Sequence, residues 1–227
     1  MWCVTEMTEE YIKRMLDVLE VYERPYNPLY PVVCFDEKSK QLLDKPRKSI
    51  AAKPKPGSLK KVDYEYRRNG TVNIFVAVEP KGKKRHLFVT KHRKKGDFAK
   101  AIKRLVMGKY KSAEKVVLVT DNLNIHSEKV LREIFNNEEA EKIINRIEWH
   151  YTPKHASWLN MAEIEINVLS RQCLNREIPA FQGMQKHTAK WSMNRNEMNI
   201  GINWQFTRKK AKIKFKLKFS KHNIHKI

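Results

Sequence analysis

Val116-Val117-Leu118-Val119-Thr120 is a short, unbroken run of apolar and β-branched residues, and Asp121 closes it. Such a run reads as a buried strand. Upstream, Asp97 to Tyr110 places Phe98, Ile102, Leu105 and Val106 on one face, which predicts an amphipathic helix. Downstream, Ser127 to Phe135 and Glu138 to Ile147 read as helices, and Glu148 to Thr152 as a short strand stopped by Pro153. Strand–helix–strand alternation therefore starts here, and a right-handed crossover makes the neighbouring strands parallel.

Further out, the N-terminal half reads differently. Thr8 to Tyr22 has helical spacing, with Thr8 as its cap, and Arg24-Pro25-Tyr26-Asn27-Pro28 ends it. Pro31 to Phe35 is the first strand, followed directly by Asp36. The basic, proline-bearing stretch from Lys45 to Lys61 predicts an extended loop or hairpin excursion. Asn69-Gly70 is a turn signal, Val72 to Val78 is strongly β-prone, Pro80-Lys81-Gly82 breaks it, and His86 to Thr90 is a further strand. These form an antiparallel meander. Ser157 to Leu174 is expected to be the longest late helix. The sum is an α/β (α+β) domain with a mixed five-stranded sheet flanked by helices. Three stretches are expected: a linker or helix remnant over 1–30, a catalytic domain over 31–204 and a basic tail over 205–227.

The chain has 227 residues, 41% hydrophobic and 32% charged, enough for one packed domain. Its 47 Lys and Arg against 25 Asp and Glu give a net charge of +22, which favours a polyanionic partner, nucleic acid first. The start of the chain has no signal-peptide pattern, and no window approaches 18 consecutive apolar residues, so no membrane role is expected. Cys3, Cys34 and Cys173 are too scattered for a disulfide framework or a zinc site, which fits a reducing cytoplasm. Seven glycines include no phosphate-binding loop.

Three acids stand out: Asp36 and Asp121 after buried strands, and Glu163 at the start of the late helix. Two strand ends plus one helical Glu satisfy a two-metal phosphoryl-transfer site. Asp36 and Asp121 as ordinary strand-end residues are the plain alternative. Glu37 adjoins Asp36, but alternate strand residues face opposite sides, so one of the two should face the metals. Glu165 lies about 200° around a helix from Glu163. The tail carries nine Lys and Arg and no acid over 205–227. Its 212–219 alternation reads as a strand, while Thr207 before Arg208-Lys209-Lys210 reads as a helix cap.

Longer motifs carry a resemblance. Val33-Cys34-Phe35-Asp36-Glu37, Asp63-Tyr64-Glu65-Tyr66-Arg67-Arg68-Asn69-Gly70-Thr71, Leu118-Val119-Thr120-Asp121-Asn122 and His150-Tyr151-Thr152-Pro153 through Trp158-Leu159-Asn160-Met161-Ala162-Glu163 stand in this order. So do Ser170-Arg171-Gln172-Cys173-Leu174 and Asn203-Trp204-Gln205-Phe206-Thr207. The set resembles transposases of the insertion sequence 630 family, a bacterial branch of the Tc/mariner superfamily, from about Trp2 to Phe219. The resemblance implies a ribonuclease-H-like fold, DNA strand cleavage and strand transfer in DNA transposition, and two Mg²⁺ or Mn²⁺ ions. It implies Asp36, Asp121 and Glu163 as catalytic residues and metal ligands, Glu163 being preferred over Glu165 because it follows the Leu-Asn-x-x position. DNA, as transposon ends and target, is the implied partner, in the bacterial cytoplasm at the nucleoid.

Asn122 is a candidate DNA contact, as are the hairpin cations Arg47, Lys48, Lys53, Lys55, Lys60 and Lys61 and the tail residues Lys209 and Lys210. His126 is expected to cap or face the following helix, and Trp158 to be core rather than base-stacking. Asp63 and Glu65 are expected to be structural or to pair with Arg67 and Arg68. The family's N-terminal helix-turn-helix pattern is not seen, and the tail is basic where the family is acidic. Asp121 and Glu163 are separated by 41 residues, more than the superfamily's usual spacing. The expectation is a truncated catalytic domain, working as a homo-oligomer or with a separately encoded helix-turn-helix half. The alternative is a catalytically idle remnant that binds DNA or partner subunits and interferes with full-length copies.

Overall fold

The computed structural model describes residues 7–47, 50–55, 57–59, 61, 64–121, 123 and 125–216. One helix, α1 (Glu9–Glu23), precedes the long strands β1 (Val32–Asp44) and β2 (Arg67–Glu79) and the shorter β3 (Lys84–Thr90). Then come α2 (Lys95–Lys103) with a π-helical continuation (Arg104–Lys109), β4 (Val116–Thr120), α3 (Glu128–Ile134), α4 (Asn137–Ile144) and β5 (Ile147–Tyr151). A 3₁₀ turn (Ser157–Leu159) leads into α5 (Ala162–Gln172), followed by α6 (Phe181–Glu197) and α7 (Arg208–Lys214).

The sheet order is β3-β2-β1-β4-β5. β1, β2 and β3 pair antiparallel, while β4 pairs parallel with both β1 and β5. The mixed five-stranded sheet matches the expectation. β4 is buried at every position because helices cover both of its faces, as its unbroken apolar run requires.

Alternation along β1 sorts the two cores. Val33 and Phe35 join Phe75, Leu118, Phe98, Ile102 and Leu131 on the face covered by α2, α3 and α4. Phe35 is fully buried, stacked on Phe75 at 5.6 Å and edge-on to Phe98 at 5.8 Å. Burying such a ring stabilises by about 1.5–3 kcal/mol. Cys34 faces the other way, with Val117 and Val119 against Met15, Val18 and Leu19 of α1 and Leu159 and Ala162. Further along that face, Leu42, Val72 and Ile74 pack on Ile166 and Leu169 of α5 and Met184 of α6.

Several sequence expectations need correction. Asp36 does not end its strand: β1 runs eight residues past it, because β2 continues to pair after β4 has stopped. Asn69-Gly70 is not a turn but a bulge within β2. The register slips between Gln41 and Leu43 of β1, and Gly70 takes φ 92°, a left-handed value that glycine adopts without steric cost. The late helix is broken: the 3₁₀ turn and Asn160 interrupt it, and the longest helix is α6, which the sequence reading did not anticipate. α6 lacks a strong apolar stripe; only Met184 and Thr188 are buried.

The 45–61 excursion does fold back as a hairpin, closed by an antiparallel bridge between Ile50 and Lys61. At the C-terminal side the helical alternative is the observed one: Thr207 caps α7, and its Oγ1 accepts from Lys210 N. Among the described residues no helix is long and apolar enough to cross a membrane. Cys34 and Cys173 are buried and unbridged, and Cys3 lies outside the described residues.

Candidate active site

The site forms where parallel pairing ends. Cys34 of β1 lies opposite Val119 of β4, so Asp36 and Asp121 each stand two residues beyond that last pair, on adjacent strands. Asp36 shares the side of β1 that carries Cys34, the side on which α5 brings Glu163. Asn160 fixes that approach. It is fully buried, its Nδ2 donates to Phe35 O at 3.0 Å and to Asp36 Oδ2 at 3.4 Å, and its Oδ1 accepts from Ala162 N at 3.1 Å. One side chain thus ties the middle of β1 to the first residue of α5. Just before it, His155 takes φ 60°, a left-handed conformation uncommon outside glycine.

The acids interact. Burial pushes the Asp36 carboxyl up to about 7, the backbone N–H of Glu37 opposes this at 2.8 Å, and the charges of Glu37, Asp121 and Glu163 add to the rise. Asp36 is thus within electrostatic reach of both other candidate ligands. Glu163 lies on the first turn of α5 and reaches this cluster. Glu165 does not; it is fully buried and bound by Arg85 and Arg195.

On the opposite face of β1, Glu37 and Asp121 meet around His126. This imidazole is fully buried, its Nδ1 contacts the Asp121 carboxylate, and its Nε2 lies 3.1 Å from Glu37 Oε2 without hydrogen-bond alignment. Burial works against its protonation, but the contacts with Asp121 and Glu37 win and raise its pKa to about 9. The expectation that His126 caps or faces the following helix is corrected: the ring turns inward beside Phe98, at 4.8 Å between centroids, onto the two acids.

Does the donor set fit divalent metal ions? The carboxylates are hard oxygen ligands, as Mg²⁺ prefers. Burial is the main cause of the raised Asp36 pKa, and the like charges of Glu37, Asp121 and Glu163 add to it, a repulsion that a bound cation would relieve. In the present side-chain arrangement no three His, Cys, Asp or Glu among the described residues are grouped tightly enough to hold an ion, and Asp121 is turned onto His126. The three carboxylates fit such an ion by the chemistry of their oxygen donors.

The other candidate residues are dispersed. Lys53, Lys55 and Lys61 are exposed on the hairpin, and Arg47 pairs with Glu65 at 3.4 Å. Glu65 thus finds Arg47 rather than Arg67, which pairs with Asp44 at 3.1 Å, and Arg68 lies over the Tyr66 ring. Lys48, Lys60, Asp63 and Asn122 lie outside the described residues. Lys209 and Lys210 are exposed on α7, whose first residue is bound to Glu23 at the end of α1. Trp158 is not core: it is 40% exposed and packs edge-on against Phe206 at 5.5 Å. Two features escaped sequence reading. Asn160 stands in the sequence only as part of a motif, and the partners of Glu165 lie far along the chain.

Residues 31–185 match a family model described as the DDE superfamily endonuclease. Among solved structures the chain is similar to the Mos1 transposase paired-end complex with left transposon end, at 15% identity and a TM-score of 0.55, covering 88% of this chain and 61% of that one. It is similar to the Mos1 mariner paired end complex with Mn at 16% identity and TM-score 0.52, covering 88% and 60%. The Mos1 Strand Transfer Complex gives 16% and 0.55, covering 88% and 59%. At these identities the likeness establishes the fold, and the chain spans about three fifths of the length of those chains. No curated protein matches.

Proposed function

We propose, from the premise that this chain belongs to the DDE superfamily endonucleases, that it is the catalytic domain of a transposase of the insertion sequence 630 type. It would cleave DNA strands and join the freed 3′-ends to target DNA. One observation supports the reading: Asp36 on β1, Asp121 just after β4 and Glu163 on α5 lie near enough for the charges of Asp121 and Glu163 to add to the burial that raises the Asp36 carboxyl to about 7.

Asp36, Asp121 and Glu163 would hold the metal. Mg²⁺ or Mn²⁺, two ions in our reading, would supply Lewis acidity at the scissile phosphate and an activated water or 3′-hydroxyl. The protein's own contribution is placement. Asn160 holds β1 and α5 together, so that Asp36 and Glu163 approach from fixed directions. His126 holds the Asp121 carboxylate from behind. Glu165, neutralised by two arginines, anchors α5 without competing for the site. One similar solved structure is described as a paired-end complex with left transposon end and another as a paired end complex with Mn, which supports DNA ends and a divalent metal here. A homo-oligomer or a separately encoded helix-turn-helix half, acting at the nucleoid, belongs to the same proposal.

The test is nicking of supercoiled plasmid. Activity should need Mg²⁺ or Mn²⁺ and be lost in Asp121→Asn, and titration calorimetry should show Mn²⁺ binding weakened in that variant. Nicking that persists in EDTA or in Asp121→Asn overturns the mechanism. Duplex binding with neither nicking nor metal uptake in the unaltered chain favours the idle, interfering remnant.

A further inference from the structure

Lys91-His92-Arg93-Lys94 links β3 to α2, which Lys95 opens, and all five residues are exposed. The sheet register fixes where this loop sits. Thr90 lies opposite Asn73, and Asn73 opposite Ser39, so the loop leaves β3 two strands from β1, level with a residue three positions beyond Asp36. Contacts carry it closer. Arg93 Nη1 reaches Glu37 Oε1 at 3.1 Å, and Glu37 is the neighbour of Asp36 and lies beside His126, which holds Asp121.

The loop is anchored on both sides. Lys91 Nζ lies 5.9 Å above the Phe181 ring of α6, and Lys95 pairs with Glu133 of α3 at 2.6 Å. Yet its charge stays available: the Arg93 side chain is 54% exposed and that of Lys95 48%. A surface ion pair of this kind holds its members weakly. The result is four permanent cations on a braced loop beside Glu37, on the face of β1 where His126 holds Asp121.

That placement answers an electrostatic need. A polyanionic backbone approaching several carboxylates is repelled unless cations beside them take up the flanking phosphates. The hairpin and α7 lysines are cationic too, but the 91–95 loop is joined to the carboxylates by a chain of contacts. We propose that Lys91–Lys95 is a phosphate-binding shelf that grips the duplex DNA backbone next to the bond being cleaved. The inference rests on the endonuclease reading of the same site. Contacts of this type position the duplex and read no sequence.

The experiment compares two charge-matched variants. One is Lys91→Gln/Lys94→Gln/Lys95→Gln. The other is Lys109→Gln/Lys111→Gln/Lys115→Gln, three exposed lysines just before β4, at the opposite end of that strand from Asp121. Five strand residues put them roughly 17 Å further away. Both remove the same net charge from exposed positions, and unchanged melting midpoints show that both fold. Duplex affinity is measured against salt concentration. Each phosphate neutralised adds about 0.9 to the slope, so the shelf variant should lose about 2–3 units and the control less than one. Equal losses in the two variants, or no loss in the shelf variant, overturn the shelf. Plasmid nicking is followed in parallel: a chain that shows the expected slopes but never nicks keeps the shelf and loses the endonuclease, whereas nicking with equal slopes does the reverse.

Discussion

Arg85 grips Glu165 through two hydrogen bonds, Nε to Oε1 at 2.9 Å and Nη2 to Oε2 at 3.2 Å, two positions along α5 from Glu163. Both side chains are essentially inaccessible, and Arg195 of α6 adds a third bond at 3.1 Å. Two glutamates on one helical turn thus have opposite tasks. Glu165 has its charge matched inside the core, and Glu163 is left for the site.

The two should therefore separate cleanly on mutation. Glu165→Gln leaves Arg85 buried without its counter-charge, and breaking a buried pair in this way costs about 3–5 kcal/mol. Glu163→Gln should change the urea midpoint little while removing nicking. A stable Glu165→Gln protein, or a Glu163→Gln protein that nicks as well as the unaltered one, contradicts this division.

His86 predicts acid sensitivity. Burial depresses its pKa from 6.5 to about 4, and Lys109 and Lys84 add to the depression. Its folded value lies below its unfolded value. The unfolded chain therefore takes up the proton first, and stability falls as pH drops from 6.5 towards about 4. In His86→Leu this part of the loss should disappear. The check is the difference in unfolding free energy between the two proteins across that window; a difference that does not change with pH rules the assignment out.

His150 works in the other direction. Burial opposes its charge, but Asp17 of α1 at 2.7 Å and Glu148 at 2.8 Å outweigh it and raise the pKa above 6.5. Its contribution is full below 6.5 and fades as pH rises through the raised value. It clamps α1 against β5, so the advantage of the unaltered chain over His150→Gln should shrink on going alkaline. An advantage that grows with pH would mean the ring is neutral in the fold.

The sequence showed the sheet and its mixed pairing because periodicity is local: the β4 run and the 72–78 strand state their burial directly. It showed Asp36 and Asp121 as candidates because each adjoins such a run, and Glu163 through its motif at the start of the late helix. It could not show that β1 continues past Asp36, since that depends on pairing with β2 across the hairpin. The inward turn of His126 and the arginines around Glu165 depend on residues distant in sequence, and no local pattern encodes them. α6 was missed because its buried stripe is two residues wide. The cation run at 91–95 was legible as charge, but its position beside Glu37 required the register of three strands.

Asn160 offers the last test, since it joins the fold to the site. Its amide satisfies Phe35 O, Asp36 Oδ2 and Ala162 N at once, with no exposure to water. Asn160→Ala leaves a buried carbonyl and a buried N–H without partners, each costing about 1–3 kcal/mol. Asn160→Asp keeps the acceptor for Ala162 N but loses the donor to Phe35 O and Asp36, and sets a fourth carboxylate against the cluster. Unfolding measurements should therefore show Asn160→Ala clearly destabilised. Mn²⁺ titration should show weaker binding in Asn160→Ala, because β1 and α5 are no longer locked in relative position. If Asn160→Ala loses stability but binds Mn²⁺ as tightly as the unaltered chain, the residue supports the fold alone, and the approach of Glu163 to Asp36 is fixed by the packing of Leu159 and Ala162 instead.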